Sequence, residues 1–467
     1  MNKALFYLTL FLFAFIPLYP KFPLFNIKGT FVAVRIEDFL IALTIGLWIS
    51  YILINKKLSV VLKDNTNKAI LLFFSIGILS LFSALFLTHS ITPHIGVLHF
   101  LRRVELIFLL PVVVTIFNTK KRLISVLIVL FLTLIVTNLY GLGQQYLDWP
   151  VISTTNSEFA KGLILRLTPG ARVNSTFAGH YDFAVFLSAA IVFLAALFFA
   201  LNKFWKMPIL ILGGLSLFVL ILTAARVSFV SIFVGLIFAL IFAKKKKYLL
   251  LVIVALTLIA VYPSQLRDRF ISTITVNLLN TGKRYEGRNV NQQLENKLNI
   301  PTLAYKMASR SANFPAFSAT AAGVPADIAP GEPVDGTQLG VYRSFQIRLN
   351  IEWPRAVRAF LKNPFLGTGY SSIGIATDND FLRSLGEVGL LGTIAFSLIL
   401  ISIWKKISQG VKSGDKIIRF FSAGSLAAII VFLVNGLFID VFEASKVASL
   451  FWMILGLNLA VLNLKEE

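Results

Sequence analysis

The sequence predicts an all-α protein that threads a membrane many times. Hydrophobic residues make up 57% of its 467 residues, and charged residues only 14%. Mean hydropathy is +0.80. Apolar runs of about 18 residues or more recur along the chain, the length a helix needs to cross a bilayer. Lipid offers backbone amides no partner, so these runs must be helices that satisfy their own amides. The sequence holds no cysteine, which excludes disulfides, thiolate nucleophiles and thiolate-held zinc.

The expected spans, about twelve by bilayer-crossing length, lie near 4–19, 37–54, 69–88, 96–117, 122–146, 178–201, 207–224, 227–243, 248–263, 381–403, 416–438 and 445–464. The first follows Met1-Asn2-Lys3 but lacks a small-x-small cleavage site and ends in Pro17, Tyr19 and Pro20. It reads as a retained span rather than a signal peptide. The seventh and eighth touch at Thr223-Ala224-Ala225-Arg226. The chain thus divides into an N-terminal transmembrane part (1–263, about nine spans), an outward loop between the ninth and tenth spans (264–380) and C-terminal transmembrane helices (381–467).

A net charge of +22 would suit nucleic acid, but the basic residues cluster between apolar runs, as topology signals do. No nucleic-acid partner is expected; the bilayer with its anionic headgroups is. Lys56/Lys57 with Lys63 and Lys68, Lys120/Lys121/Arg122, Lys203/Lys206, Lys244 to Lys247, and Lys405/Lys406/Lys412/Lys416 fall on one side. The positive-inside rule makes that side cytoplasmic, with both termini there.

Two outward segments are long. One runs from about Asp148 to Thr176, the other from about Ser264 to Asp380, which exceeds a simple connector and suits a small, mainly helical subdomain. Its start, RDRFISTITVNLL, reads as an amphipathic interfacial helix. Its middle, SATAAGVPADIAPGEPVDGTQ, reads as a flexible strip. Its end, 342–360, returns to helical periodicity with Arg343, Arg348, Arg355 and Arg358.

Few residues stand out chemically. Arg226 lies at the outward junction of two apolar spans, where ionisable groups are expensive. Its guanidinium suits a bidentate grip on phosphate, or snorkelling to lipid headgroups. Arg343 and Arg348 form a second cationic group, or a solvated helix face. Arg102, Arg103 and Glu105 read as interface anchors of the fourth span. Of the histidines, 89, 94 and 99 turn roughly 140° apart on a helix, so no zinc site is expected from them. His180 and Asp182 open the sixth span and suit substrate contact or capping.

The richest stretch is NPFLGTGYSSIGIATDNDFLRSLGEVGLLG, 363–392. Gly367 and Gly369 let a backbone or ligand approach closely. Asp378 suits the N-cap of the tenth span. Glu387 sits on an apolar helix between Gly386 and Gly389, where it needs a polar partner or a cavity.

At these residues the chain resembles the O-antigen ligase and polymerase superfamily of bacterial envelope glycosyltransferases, over about 210–400. The resemblance rests on TAARVSFVSIFVGLIFAL around Arg226, the NPFLGTG turn, and DNDFLRSLGEVGLLG, where Glu387, Gly389 and Gly392 match Glu-x-Gly-x-x-Gly. It implies metal-independent transfer of a glycan from an undecaprenyl-diphosphate carrier, with no cofactor, on the outer face of the cytoplasmic membrane. Arg226 would bind the diphosphate with Arg343 or Arg348, and Gly367, Gly369 and His180 would contact substrate. Donor and acceptor glycans, and other polysaccharide-assembly proteins, are the implied partners. Where ligases of the family carry histidine, this chain has Asp378, so Asp378 or Glu387 would serve as base or orienting group. That departure favours a polymerase over a ligase. A lipid-linked oligosaccharide flippase is the alternative of another class. A flippase needs cations along a mid-membrane cavity, whereas the conspicuous charges here gather at the outer boundary. An inactive scaffold leaves Arg226 and Glu387 unexplained.

Overall fold

The computed structural model describes residues 2–30, 32–154, 162–167, 171–274, 345, 347–374 and 376–462. Arg343 and the Pro/Gly/Ala-rich strip lie outside them. The described chain is helical: α1 (Asn2–Leu18), α2 (Ile36–Ile54), α3 (Leu58–Lys63), α4 (Asn65–Phe86), α5 (Pro93–Ile116), α6 (Lys120–Tyr146), α7 (His180–Leu197), α8 (Lys203–Leu222), α9 (Arg226–Phe242), α10 (Leu249–Val261), α11 (Gln265–Ile274), α12 (Trp353–Lys362), α13 (Asp380–Gly410), α14 (Lys416–Asn435) and α15 (Ser445–Val461). Among the described residues the only β pairing is two isolated bridges, Phe25 with Val34 and Val151 with Leu165.

Among the described residues, seven helices (α2, α4, α6, α7, α8, α13 and α14) are long and apolar enough to cross a membrane, so the protein is polytopic. α1, α9 and α15 are shorter apolar helices. α10 bends by 87° into α11, which carries Arg267, Asp268 and Arg269 beside Leu266 and Phe270 and is a helix, as expected. α12 follows a π-helical turn, Arg348–Glu352. Helix starts are set by side chains that accept from otherwise orphaned amides: Asp64 for α4, Thr119 for α6, Asn379 for α13 and Asp415 for α14. The expectation that Asp378 caps the tenth span is therefore corrected by one residue. Asn379 carries the cap, accepting from Phe381 and Leu382.

The three C-terminal helices do not form a separate layer. α13 packs on α4, α14 on α7 and α9, and α15 on α5. α7 and α14 are the most enclosed of the long apolar helices, with 72% and 67% of their apolar windows buried, so they form the centre. Small residues bring the helices close, as packing in lipid requires. A Cβ on Gly235 would lie 2.5 Å from Val431, and one on Gly456 2.7 Å from the Leu110 carbonyl. Asn435 ties α14 to α9 by hydrogen bonds with Ser228 and Ser231, each 2.8 Å.

Candidate active site

The site is built where α13 breaks. Gly389 has φ 66° and ψ −169°, so the helix is interrupted there. An interruption orphans carbonyls before it and amides after it, and the glycine turn supplies their partners. Thr368 and Gly369 donate to the Gly386 and Glu387 carbonyls at 2.9 and 2.8 Å. In return Leu390 and Leu391 donate to the Pro364 and Phe365 carbonyls at 2.8 and 3.1 Å. A Cβ on Gly367 would lie 2.4 Å from the Glu387 carbonyl oxygen, and one on Gly369 2.3 Å from Ala84. What approaches both glycines closely is protein, not a ligand.

Behind this junction lies a buried ionic network. Glu387, 3% exposed, accepts from the Ser371 amide at 3.1 Å and sits 3.8 Å from Arg383, one turn earlier. Arg383, in turn, reaches Asp440 at 3.3 Å and Glu443 at 3.8 Å. Arg103 pairs with Glu443 and donates to the Phe442 carbonyl at 2.8 Å. The reading of Arg103 as an interface anchor is thus corrected: it points inward to the loop joining α14 and α15. Asp380 accepts from the Val441 amide of that loop at 2.8 Å.

Asp440 organises the next layer. Its carboxylate accepts from the amides of Thr377, Asp378 and Asn379 at 2.7, 3.1 and 3.3 Å. These bonds hold Asp378 at φ 49°, a left-handed conformation that aspartate tolerates better than most residues. Asp378 meets Arg348 at 2.6 Å. Burial pushes the Asp378 carboxyl above its ordinary value, and the Arg348 guanidinium pulls it back. Glu352, on the same π-helical turn as Arg348, is pushed up to about 7 by burial and then by the charge of Asp378.

A cationic group adjoins this pair. Arg172, Arg226, Arg269 and Arg348 all act electrostatically on the Tyr181 hydroxyl. Arg226 opens α9 and donates to Thr273 and to the Arg269 carbonyl of α11, so α11 is tied across its guanidinium. Arg172 meets His180 Nε2 at 2.7 Å and lies 5.9 Å from the Tyr181 ring. His180 is 2% exposed and so supports Arg172. Burial pushes Arg172 down to about 9. The Tyr181 hydroxyl acts on both Arg226 and Arg269, and Arg269 and Arg348 act on Arg226. Positive charge concentrated in this way suits a multiply charged anion.

The structure therefore brings together Arg226, Arg348, Asp378 and His180, and sets Glu387, Gly367 and Gly369 in the scaffold beneath them. Sequence reasoning missed Arg172, Arg269, Tyr181, Glu352, Arg383 and Asp440. One signal was available: Glu352 lies four residues after Arg348, the spacing that puts two side chains on one helix face.

Residues 211–397 match the protein family described as O-Antigen ligase. The matched segment holds Arg226, Arg269, Arg348, Glu352, Asp378 and Glu387, and leaves out Arg172 and Asp440. None of the curated proteins matches the chain.

Proposed function

We infer that this chain, whose residues 211–397 resemble the O-antigen ligase family, polymerises undecaprenyl-diphosphate-linked oligosaccharide on the outer face of the cytoplasmic membrane. In this reading the apolar helices cross as twelve spans and both termini are cytoplasmic. The basic clusters support that orientation. α9 runs from Arg226 at the site to Lys244 to Lys247, and α13 from Asp380 at the site to Lys405/Lys406, so these clusters lie at the far helix ends.

One observation carries the reading. Arg348 joins the arginine group around Tyr181 to the acid Asp378. Arg172, Arg226 and Arg269 hold the donor diphosphate, and Arg348 spans from it to the reacting sugar. Glycosyl transfer develops negative charge on the departing diphosphate, and fixed guanidiniums stabilise it without solvent reorganisation. The acceptor hydroxyl must lose a proton as it attacks, and acids lie on the far side of Arg348. The glycine junction and Glu387 position this wall. Donor and acceptor are both carrier-linked repeat units.

The experiment supplies purified protein with carrier-linked repeat units and no other acceptor. Glycans several repeats long support polymerisation. Transfer that occurs only after a lipid or protein acceptor is added makes the protein a ligase.

A further inference from the structure

Resting on that reading of the site, we propose that Glu352 is the base that takes the proton from the acceptor hydroxyl, within an acceptor-sugar subsite bounded by Trp353 and Thr377. The neighbouring acids are already engaged. Asp378 is paired with Arg348 at 2.6 Å, so its carboxylate is already occupied by a guanidinium. Glu387 is enclosed by Arg383 and the Ser371 amide. Asp440 spends its carboxylate on three backbone amides and Arg383.

Glu352 differs. Its Oε2 is buried and has no hydrogen-bond partner among the described residues. The same holds for Trp353 Nε1, on the next residue, and for Thr377 Oγ1, on the residue before Asp378. Thr377 is 1% exposed. Buried polar atoms in native proteins are normally paired. Glu352 and Trp353 are consecutive, and Thr377 adjoins Asp378, whose charge acts on Glu352; an acceptor, two donors and an indole surface are what a saccharide with several hydroxyls would engage. The π-helical turn Arg348–Glu352 presents Arg348 and Glu352 together, and such turns recur at functional sites.

The step balances as a single displacement. The acceptor oxygen attacks the anomeric carbon of the donor sugar as its proton passes to Glu352. The bond from that carbon to the diphosphate oxygen breaks, and its electron pair leaves with the carrier diphosphate, beside Arg348 and the arginine group. Configuration inverts, and Glu352 then returns the proton to water. The groups facing Glu352 are Arg348 and Arg355 on its own element, Asp378 on the loop before α13, and Asp440 on the loop before α15. Burial and these acids push its carboxyl up to about 7, where a base works near neutral pH.

The test compares the full-length wild-type protein with Glu352→Gln and Glu352→Asp, using an undecaprenyl-diphosphate-linked oligosaccharide. Transfer by Glu352→Gln should fall by about a hundredfold or more, while donor binding stays unchanged. Wild-type transfer should rise with pH through one ionisation near 7, and Glu352→Gln should lose that limb. Glu352→Asp should retain the limb at reduced rate, which serves if the Gln variant does not fold. Full transfer by Glu352→Gln, or a wild-type rate flat across that range, overturns this assignment alone. A wild-type protein that binds the glycolipid and transfers nothing overturns the polymerase reading as well.

Discussion

Gly367 and Gly389 meet backbone to backbone, each with positive φ. A Cβ on Gly367 would lie 2.6 Å from the Gly389 nitrogen, and one on Gly389 2.6 Å from the Gly367 nitrogen. Neither can shift without breaking the hydrogen bonds that repair the interrupted helix. Gly389→Ala and Gly367→Ala should each destabilise the protein by about 2–4 kcal/mol, combining left-handed strain with overpacking. Gly213→Ala, where nothing lies within 4 Å, should be neutral. Thermal unfolding in detergent checks all three.

Arg226 is expected to act through its planar fork. Arg226→Lys keeps the charge but loses the bidentate grip. Transfer should drop roughly tenfold to a hundredfold, the worth of one charge-assisted hydrogen bond, with the loss seen mainly in donor affinity. Steady-state kinetics against donor concentration distinguish this from a structural defect, and wild-type activity in the variant contradicts the assigned role.

Asp440 lies outside the matched family segment, yet it holds the backbone on which Asp378 is mounted. Asp440→Ala leaves Arg383 short of a buried partner and should cost about 3–5 kcal/mol. Asp440→Asn keeps one acceptor oxygen, enough for the Thr377 and Asp378 amides that share Oδ2, and should restore part of the activity. A fall in turnover that exceeds any change in donor KM marks Asp440 as a positioning residue.

Glu352 also makes stability depend on pH. Its carboxyl protonates near 7 when folded, against an ordinary value of 4.5. Between those values the folded chain binds more protons than the unfolded one, so stability falls as pH rises, and the loss is complete above about 7. Glu352→Gln never acquires the charge. Its melting temperature should gain on the wild type between pH 5 and pH 8, and parallel pH profiles would contradict the shift.

The apolar runs that bilayer physics picks out of the sequence are helical over most of their described residues, because their length and composition are local properties. Arg226 was legible too, since a charge between two apolar runs announces its own cost. Glu387 was legible as a residue needing a partner, but its partner Arg383 looked like an ordinary residue of a first helical turn. Asp440 and Arg172 reach the site from segments distant in sequence, so no local spacing reveals them. The glycines showed the reverse limit. A positive φ could be anticipated at Gly367, but whether a ligand or a chain segment would fill the space depended on the break at Gly389. The cap falls to Asn379 while the Asp378 carboxylate pairs with Arg348, a residue distant in sequence.

In the proposed function this protein breaks the bond between sugar and carrier diphosphate rather than carrying the glycolipid intact. The most direct measurement follows a labelled lipid-linked oligosaccharide in vesicles holding the purified protein, quantifying carrier diphosphate and new glycosidic linkages together. Equal amounts of both, lost together in Arg226→Lys, are predicted. Movement of glycolipid between leaflets with the carrier–sugar bond intact would contradict the account.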